Sequence, residues 1–271
     1  MKKKITLLIM IMLIGSSLIV GCNSSDVPPY SLEGIKNKGK LIMGTNADYP
    51  PNEFHIMVDD KDEIVGSDIE IGKYIADKLG VELEIKDMEF NSLLGGLSTG
   101  MFDIVIAAMK NTPEREANFT KPYDVDGVHK ILIRKSDKDK YKSENDFNGA
   151  SIGAQTGSIQ KDMAEDIDGA ILKELPTLNT LIMELKTEKI DGLVMSENSG
   201  GSYVQTNDDI MIIEEINLIH GEGGESIALK TGNDELTEYI NEIIDELIEK
   251  DLVTKWKEEA KELSDQQIDN K

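Results

Sequence analysis

Apolar and polar positions alternate along the chain in a pattern that predicts strands and helices in turn. A short apolar run at 41–44 predicts a strand. A Ser-x-x-Glu capping box at 67–70 opens a predicted helix that Gly80 ends. Residues 81–85 alternate apolar and charged side chains, and 104–108 is a continuous apolar run of the kind found in covered parallel sheets. The first half of the chain therefore has the order of an α/β sheet.

The second half repeats this order. Strands are predicted near 151–154, at 171–175 and at 192–195, with one helix opened by Gly157 and another at 177–187. We therefore expect two lobes of similar α/β architecture.

The two halves also share letters at one element. Residues 97–106 align with 185–194 and match at leucine, threonine and aspartate, so that Asp103 corresponds to Asp191. Ligands of open α/β sheets bind beyond the carboxyl ends of the strands. Two such lobes placed face to face would form a cleft lined by loops and closed by a hinge.

The N-terminus has the pattern of a secretion signal. Three lysines at 2–4 precede the apolar run 5–20, which is too short for a confident transmembrane helix. The run ends in Leu-Ile-Val-Gly-Cys at 18–22, which resembles the lipobox of bacterial lipoproteins, in which the cysteine is acylated and becomes the new N-terminus. The alternative is an ordinary signal peptide followed by an inert thiol. Cys22 is the only cysteine, which excludes an intramolecular disulfide and a metal site of several thiolates.

The acidic net charge of the chain excludes further classes of function. The chain carries 52 acidic and 29 basic residues, and removal of residues 1–21 would leave 26 basic residues against the same 52 acidic ones. A surface this acidic repels nucleic acid and anionic lipid headgroups. Attachment to the cell membrane, on its extracytoplasmic face, would therefore depend on the lipid at Cys22.

The pattern predicts an α/β fold of two similar βαβαβ-type lobes joined by a hinge of two crossings. The last helices, at 234–249 and 252–263, are expected to pack on the first lobe. The predicted segments are a signal peptide at 1–21, a flexible tether at 22–30, lobe 1 at 31–127 plus 224–263, lobe 2 at 128–223 and a flexible tail at 264–271.

A series of short motifs identifies a family. In order they are 44–51 (Gly-Thr-Asn-Ala-Asp-Tyr-Pro-Pro), 66–69 (Gly-Ser-Asp-Ile), 80–81 (Gly-Val), Leu97-x-x-Gly100-x-x-Asp103, 112–115 (Thr-Pro-Glu-Arg), 119–123 (Phe-Thr-Lys-Pro-Tyr) and 155–158 (Gln-Thr-Gly-Ser). Together they resemble the polar amino-acid-binding proteins of ABC importers, solute-binding protein family 3, which have the type II periplasmic-binding-protein fold. The resemblance implies capture of an amino acid, or of a closely related small carboxylate, and its delivery to permease and ATPase subunits by a monomer.

Arg115 is the first candidate for ligand binding. Thr112 and Pro113 predict the start of a helix that carries Arg115 in its first turn. A guanidinium offers a bidentate fork to a carboxylate. The resemblance implies that Arg115 binds the α-carboxylate of the substrate. The alternative is a surface arginine paired with Glu114 or Glu116.

Other residues enter through the resemblance alone. It implies that the Ala108 backbone and Lys110 bind the ligand from lobe 1, and that Ser158 and the Ile159 backbone bind its carboxylate from lobe 2. It also implies that Tyr49 and Phe90 form the walls that sandwich the substrate; the alternative for both is a place in the core.

The sequence departs from the family pattern at the position that binds the substrate's ammonium. The family has an acid where this chain has Ser196, with Glu197 next. Either Glu197 replaces that acid, or the ligand is not an ordinary α-amino acid. Asn52 stands where an aromatic residue is common, and Lys110 where a small hydroxyl residue is common. An amide and a cation would favour a polar or acidic side chain on the ligand.

Other functions on this fold are a ligand sensor and a dehydratase-like enzyme. A catalyst needs a positioned acid or base, and His55, His129 and His220 lie outside the motifs, so they are interpreted as loop or hinge residues. The acidic stretch 59–63 lacks the spacing of a calcium loop and is interpreted as a solvated turn. We expect no catalytic residue, no metal and no cofactor.

Overall fold

The computed structural model describes residues 27–125, 127–221 and 223–269, with side chains as far as Asp265. The predicted signal peptide and Cys22 lie outside the described residues. Within them, no helix is both long enough and apolar enough to cross a membrane.

Lobe 1 is built from two separate stretches of the chain. The first contributes α1 (Leu32–Lys38), β1 (Lys40–Thr45), β2 (Asp48–Tyr49), β3 (Glu53–Val58), β4 (Lys61–Val65), α2 (Ser67–Leu79), β5 (Glu82–Asp87), a 3₁₀ turn (Phe90–Ser92), α3 (Leu93–Ser98), β6 (Ile104–Val105), β7 (Asn118–Phe119) and β8 (Asp124–Val125). The main sheet of lobe 1 is completed by a strand that follows lobe 2 in the chain.

Lobe 2 is the stretch between the crossings. It contains β9 (His129–Arg134), 3₁₀ turns at Lys135–Asp137 and Glu144–Phe147, β10 (Ser151–Gln155), α4 (Ile159–Glu165), β11 (Ile171–Leu175), α5 (Leu178–Lys186), β12 (Gly192–Ser196), α6 (Glu197–Thr206) and β13 (Ile210–Ile212). The chain then returns to lobe 1 through β14 (Gly224–Glu225), β15 (Ala228–Leu229), α7 (Asp234–Glu249) and α8 (Leu252–Asp269).

The main sheets of the two lobes have the same plan. Their strand orders are β5-β1-β6-β15-β7 and β11-β10-β12-β9-β13, and in each sheet the first three strands are parallel and the fourth is antiparallel. Asp103 accepts a hydrogen bond from Ile42 N at 2.7 Å, and Asp191 accepts one from Ser151 N at 3.0 Å. The aligned aspartates thus do the same work in both lobes, and the prediction of two similar α/β lobes is confirmed.

The two crossings pair with each other. β8 and β14 form an antiparallel ladder in which Asp124 faces Glu225 and Val125 faces Gly224. The chain therefore passes between the lobes through two adjacent strands. The boundaries between the lobes, at 127/128 and 223/224, stay predictions.

Each lobe has its own core. In lobe 1 the apolar stripe of α7, which includes Leu236, Ile240 and Leu247, is fully buried against the main sheet and α2, as the period of the sequence predicts. In lobe 2 the ring of Tyr141 stacks on Phe147 at 4.4 Å beneath the sheet. These cores make each lobe a firm support for the loops at its strand ends.

Several local predictions were wrong. Helix α2 begins at Ser67 with Gly66 as its N-cap, and no side chain caps it, so the capping box is not formed. The stretch at 59–63 is only partly a turn: Asp59 and Asp60 take positive φ angles, and β4 begins at Lys61. A two-residue turn of this kind joins the strands of a hairpin, here β3 and β4.

Both ends of the folded part were also predicted too short. Helix α8 continues to Asp269, so most of the flexible tail predicted at 264–271 is helical, and Ser264 is buried. The last residues of the predicted tether contact lobe 1, because Ser31 N donates to Pro28 O at 3.0 Å and Asn233 Nδ2 donates to Tyr30 O at 2.7 Å.

Candidate functional site

A cavity of about 400 Å³ lies between the lobes. Its wall is formed by the segments that follow β1, β6, β10 and β12, by the hinge strands and by helix α8. All of the candidate residues of the sequence line it: Tyr49, Asn52, Phe90, Ala108, Lys110, Arg115, Ser158, Ile159, Ser196 and Glu197. The fold therefore brings the candidates together, while their part in binding stays a prediction.

Arg115 reaches the cavity from a turn and not from a helix. Arg115 N donates to Thr112 O at 3.1 Å, and the chain then extends into β7. The predicted helix does not form because the chain enters strand β7 after one turn. This strand pairs with β15. The helix N-terminus that was expected beside this guanidinium is absent at this point, and the support for a carboxylate has to come from elsewhere.

The guanidinium of Arg115 is held on several sides. Nη1 donates to Lys110 O and Nη2 to Gly157 O at 3.0 Å, so the side chain spans the two lobes. It also lies over the ring of Phe90, 5.5 Å from the centroid. Burial lowers the pKa of Arg115 from its ordinary value, and the nearby Glu114 and Asp162 act in the opposite direction. These contacts fix a fork of N–H donors at the cavity wall.

Lobe 2 presents the start of helix α4 to the same region. Ser158 is the N-cap of α4, and its hydroxyl accepts from Lys161 N at 3.3 Å. Ile159 is the first helical residue, and the N–H groups of a first helical turn have no acceptor within the helix. A carboxylate placed between Arg115 and this turn would receive donors from both lobes.

The position of the missing acid is occupied by a cap. Ser196 Oγ accepts from Ser199 N at 3.2 Å and begins helix α6. Glu197 is about half exposed, at 53% of its side chain, and its Oε1 lies 3.7 Å from Lys130 Nζ. The serine therefore has a structural role, and Glu197 shares its charge with a lysine of lobe 2.

Acids that the sequence did not single out line the hinge side of the cavity. Asn52 Nδ2 donates to Glu225 Oε2 at 3.0 Å and lies 3.4 Å from Asp68 Oδ1. Lys257 Nζ lies 3.2 Å from Glu225 Oε2. Burial raises the pKa of Glu225 to about 7, and the ammonium of Lys257 opposes that shift.

Glu53 adds a second carboxyl to this wall. It is 1% exposed, and no hydrogen bond satisfies its Oε2 atom. Burial raises its pKa well above the ordinary value, and the adjacent Asp68 raises it further. The surroundings of Glu53 therefore favour its protonated form. The hinge side of the cavity holds more acid than base.

Lys110 does not project alone into the cavity. It is 4% exposed, and its Nζ donates to the backbone oxygen of His220 on the return crossing. His129, which was interpreted as a loop or hinge residue, is instead the buried first residue of β9, with Nδ1 3.4 Å from Gln160 Nε2. That interpretation of His129 was wrong, because a strand begins directly after the hinge.

Sequence reasoning missed Glu53, Glu225, His129 and Lys257 in the cavity wall. The only signal for the two glutamates is position: Glu53 follows Asn52, and Glu225 follows the glycines of the return crossing. No periodicity distinguishes them from the other acids of the chain. Among the described residues, no group of three or more His, Cys, Asp or Glu side chains is placed to hold a metal ion.

Two similar lobes, a two-strand hinge and a polar cavity between them define a two-lobed solute-binding protein of the periplasmic-binding-protein type. The chain belongs to the bacterial extracellular solute-binding proteins, family 3, whose model matches residues 41–259.

Relatives by sequence are binding proteins for several amino acids. The arginine-binding extracellular protein ArtP of Bacillus subtilis is 31% identical over 234 residues, which cover 84% of this chain and 87% of that protein. The L-cystine-binding protein TcyJ of Escherichia coli is 25% identical over 219 residues, covering 80% of each.

Solved structures agree in fold. The substrate-binding protein AbpA of an amino acid ABC transporter from Streptococcus pneumoniae, bound to L-arginine, superposes with a TM-score of 0.81 and 36% identity, covering 86% of this chain and 98% of that one. An ancestral amino-acid-binding protein, described as a precursor of cyclohexadienyl dehydratase, has a TM-score of 0.74 and 26% identity, covering 84% of this chain and 98% of that one.

Proposed function

We propose that this protein captures a cationic L-amino acid, with arginine as the first candidate, and delivers it to an ABC importer. Capture of an amino acid for such an importer is the function that the family and the relatives support. The observation that carries the finer proposal is the division of the cavity wall, with Arg115 on one side and Glu225 and Glu53 at the hinge.

The α-carboxylate binds Arg115 and the first turn of α4. The guanidinium now donates to carbonyl oxygens of Lys110 and Gly157, which are weaker acceptors than an anion. A carboxylate that takes these donors also gains the N–H of Ile159, which has no acceptor within helix α4. The ligand then bridges the lobes and stabilises the closed form.

The cationic side chain binds at the acidic hinge wall. Burial raises the pKa of Glu225 to about 7, so a guanidinium or ammonium beside it stabilises the ionised form. Tyr49 and Phe90 also line the cavity, and their flat rings suit the aliphatic stem of a long ligand side chain. Glu197 is the candidate partner of the α-ammonium, in place of its contact with Lys130.

The expectation of an acidic ligand side chain loses its basis in the structure. Asn52 Nδ2 donates hydrogen bonds to Glu225 and Asp68, and Lys110 Nζ donates a hydrogen bond to His220 O. Both donors that favoured an acidic ligand are therefore engaged within the protein. An acidic side chain would also have to approach Glu225.

A thermal-shift panel tests the ligand class. The chain from residue 23 onward, which keeps the packed segment before Ser31, is heated with each of the twenty amino acids, ornithine, citrulline, cystine and dicarboxylates. A ligand that binds only the folded state raises the melting temperature in proportion to ln(1 + [L]/Kd). We expect the largest rise with arginine, and a smaller one with its neutral analogue citrulline. A rise confined to acidic ligands, or to carboxylates without an α-ammonium, would contradict the proposal.

The same proposal places the protein on the outer face of the cell membrane, anchored through a lipid on Cys22 and working as a monomer with permease and ATPase subunits. Two or three acyl chains hold a protein firmly, whereas one binds marginally. Substitution of Cys22 by serine should move the protein from the membrane to the medium. Equal membrane retention of this variant would refute the anchor.

We also propose that the protein releases its ligand unchanged. One structural relative is described as a precursor of a dehydratase, so chemistry on this fold has to be tested directly. Mass spectrometry of the ligand after long incubation with equimolar protein should recover the original compound alone. Time-dependent loss of water or ammonia from the ligand would show an enzyme.

A further inference from the structure

A short segment of lobe 1 makes direct bonds to lobe 2 around the cavity. These bonds are Gln155 Nε2 to Asn46 Oδ1 at 2.8 Å, Leu178 N to Asp48 Oδ2 at 2.8 Å, Tyr203 OH to Asp48 O at 2.8 Å and Gln160 Nε2 to Tyr49 OH at 3.1 Å. Every one of them joins the two lobes, so all of them depend on closure.

Asp48 holds a special place in this set. Its side chain and its backbone contact two different helices of lobe 2, α5 through Leu178 and α6 through Tyr203. It is 7% exposed and lies outside the lining of the ligand cavity. A residue that bonds to lobe 2 from outside the cavity lining acts on binding through the position of the lobes.

The partner of the Asp48 carboxylate suits an anion. Leu178 is the first residue of α5, and its N–H has no acceptor within that helix. The N-terminal end of a helix also carries partial positive charge, which favours a carboxylate. When the lobes separate, Leu178 N loses this acceptor.

We propose that Asp48 is a positioning residue that sets the balance between the closed and open forms, and through it the affinity for the ligand. The inference rests on the proposed function, because it requires a ligand that binds between the two lobes. The observed affinity is scaled by the fraction of protein in the binding-competent form. A bond that exists only after closure therefore tightens binding without touching the ligand.

A carboxyl buried by closure also links closure to pH. Burial raises the pKa of Asp48 to about 6, while the Leu178 N–H acts against the shift. The charged and titratable groups around it are Asp87, which raises this pKa, His55, which lowers it, and Glu53 and Tyr203, whose own pKa values its charge raises.

The direction of the pH effect follows from the two forms. In the open form water reaches the carboxyl, and its pKa returns toward 3.8. The closed form therefore holds its proton more tightly, so closure is opposed by ionised Asp48 above pH 6 and becomes easier as the pH falls through 6. Asparagine keeps an oxygen for Leu178 N and removes this dependence.

The test compares three variants of the chain from residue 23 onward. Asp48→Ala removes the acceptor, Asp48→Asn keeps it without charge, and Asp103→Asn is the control, because Asp103 also accepts a backbone N–H but within lobe 1 alone. Lobe separation without ligand is measured between spin labels at cysteines replacing Met57 and Met183, exposed residues of lobe 1 and lobe 2. Affinity for L-arginine is measured by calorimetry.

We expect Asp48→Ala to bind several-fold more weakly than Asp48→Asn at every pH, because only the asparagine keeps an acceptor for Leu178 N, and to show a longer distance between labels than Asp48→Asn. Asp48→Asn should bind at least as tightly as wild type at pH 7.5, and the ratio of the two affinities should approach one as the pH falls to 5. Taking this ratio removes the titration of Glu225, which is common to both proteins. The control should keep wild-type affinity and distance.

The same affinity and the same label distance in Asp48→Ala and Asp48→Asn would overturn the proposal. If Asp48→Ala does not fold, Tyr203→Phe removes the second bond to Asp48 and should also lengthen the distance. If the wild type does not bind L-arginine but the distance still increases in the variants, the proposed ligand fails and the role of Asp48 stands.

Discussion

Arg115 donates to the carbonyl oxygen of Gly157 at 3.0 Å, which joins a turn of lobe 1 to the loop before helix α4 of lobe 2. This guanidinium therefore contacts the region in which the proposed carboxylate would sit. The carboxylate of a ligand has to replace this bond to a neutral carbonyl oxygen with a stronger one to its own anionic oxygen. The predictions below follow from this site and from the packing that supports it.

Arg115→Ala should weaken arginine binding by about two decades or more, because the buried carboxylate of the ligand loses its charged partner. Arg115→Lys keeps the charge but loses the bidentate fork, so its affinity should be intermediate. Calorimetry at pH 7.5 measures both. Arg134→Lys is the control, since Arg134 bonds Leu185 O and Ile190 O inside lobe 2. Unchanged affinity in Arg115→Ala would refute the assignment.

Arginine binding should release protons near pH 7. Glu225 has a pKa of about 7 and becomes ionised beside a guanidinium, so roughly half a proton should leave at that pH. Calorimetry in buffers of different ionisation enthalpy measures the number. Citrulline, which is neutral at the same position, should release much less. Equal proton release with both ligands would show that the side chain of the ligand does not bind beside Glu225.

Glu225→Gln should change the pH dependence of stability. The pKa of Glu225 in the folded protein, about 7, lies above the ordinary value of 4.5, so its contribution is fully present below pH 4.5 and is lost as the pH rises through 7. The free energy of unfolding of the variant, relative to that of wild type, should therefore rise by about 1–3 kcal/mol between pH 5 and pH 8. Urea unfolding at several pH values checks this. A constant difference would mean that Glu225 titrates normally.

Two adjacent glycines of α3 should respond in opposite ways to alanine. A Cβ at Gly96 would lie 2.5 Å from the ring of Phe102, whereas a Cβ at Gly95 meets nothing within 4 Å. Gly96→Ala should therefore cost about 1–3 kcal/mol through overpacking. Gly95→Ala should stabilise the fold by up to about 1 kcal/mol, because glycine is a poor helix former. Thermal and urea unfolding measure both, and equal effects would contradict the packing.

Periodic features of the fold were predictable from local sequence. The buried stripe of α7 follows from a spacing of three and four residues, and the strand at Ile171–Leu175 appears at its predicted bounds. The match of Asp103 with Asp191 was confirmed because both accept a backbone N–H at the same point of their sheets. Such features depend on neighbours along the chain.

Features that depend on distant partners were missed. The sequence Thr-Pro-Glu-Arg has helix-start chemistry, but strand β7 pairs with β15, more than a hundred residues away in the chain, and the helix does not form. Glu53 and Glu225 look like ordinary surface acids among 52 acidic residues. Their burial at the hinge arises only when the return crossing lies beside the β3 segment.

The sequence by itself determined the two-lobed α/β plan, the family and part of the cavity lining, because strand and helix periods and short motifs are local properties. Only the tertiary structure decided which of these residues already have partners, where the acidic wall lies and that Asp48 joins the lobes. Those properties depend on burial and on contacts between distant segments, and both are set by how the two lobes come together.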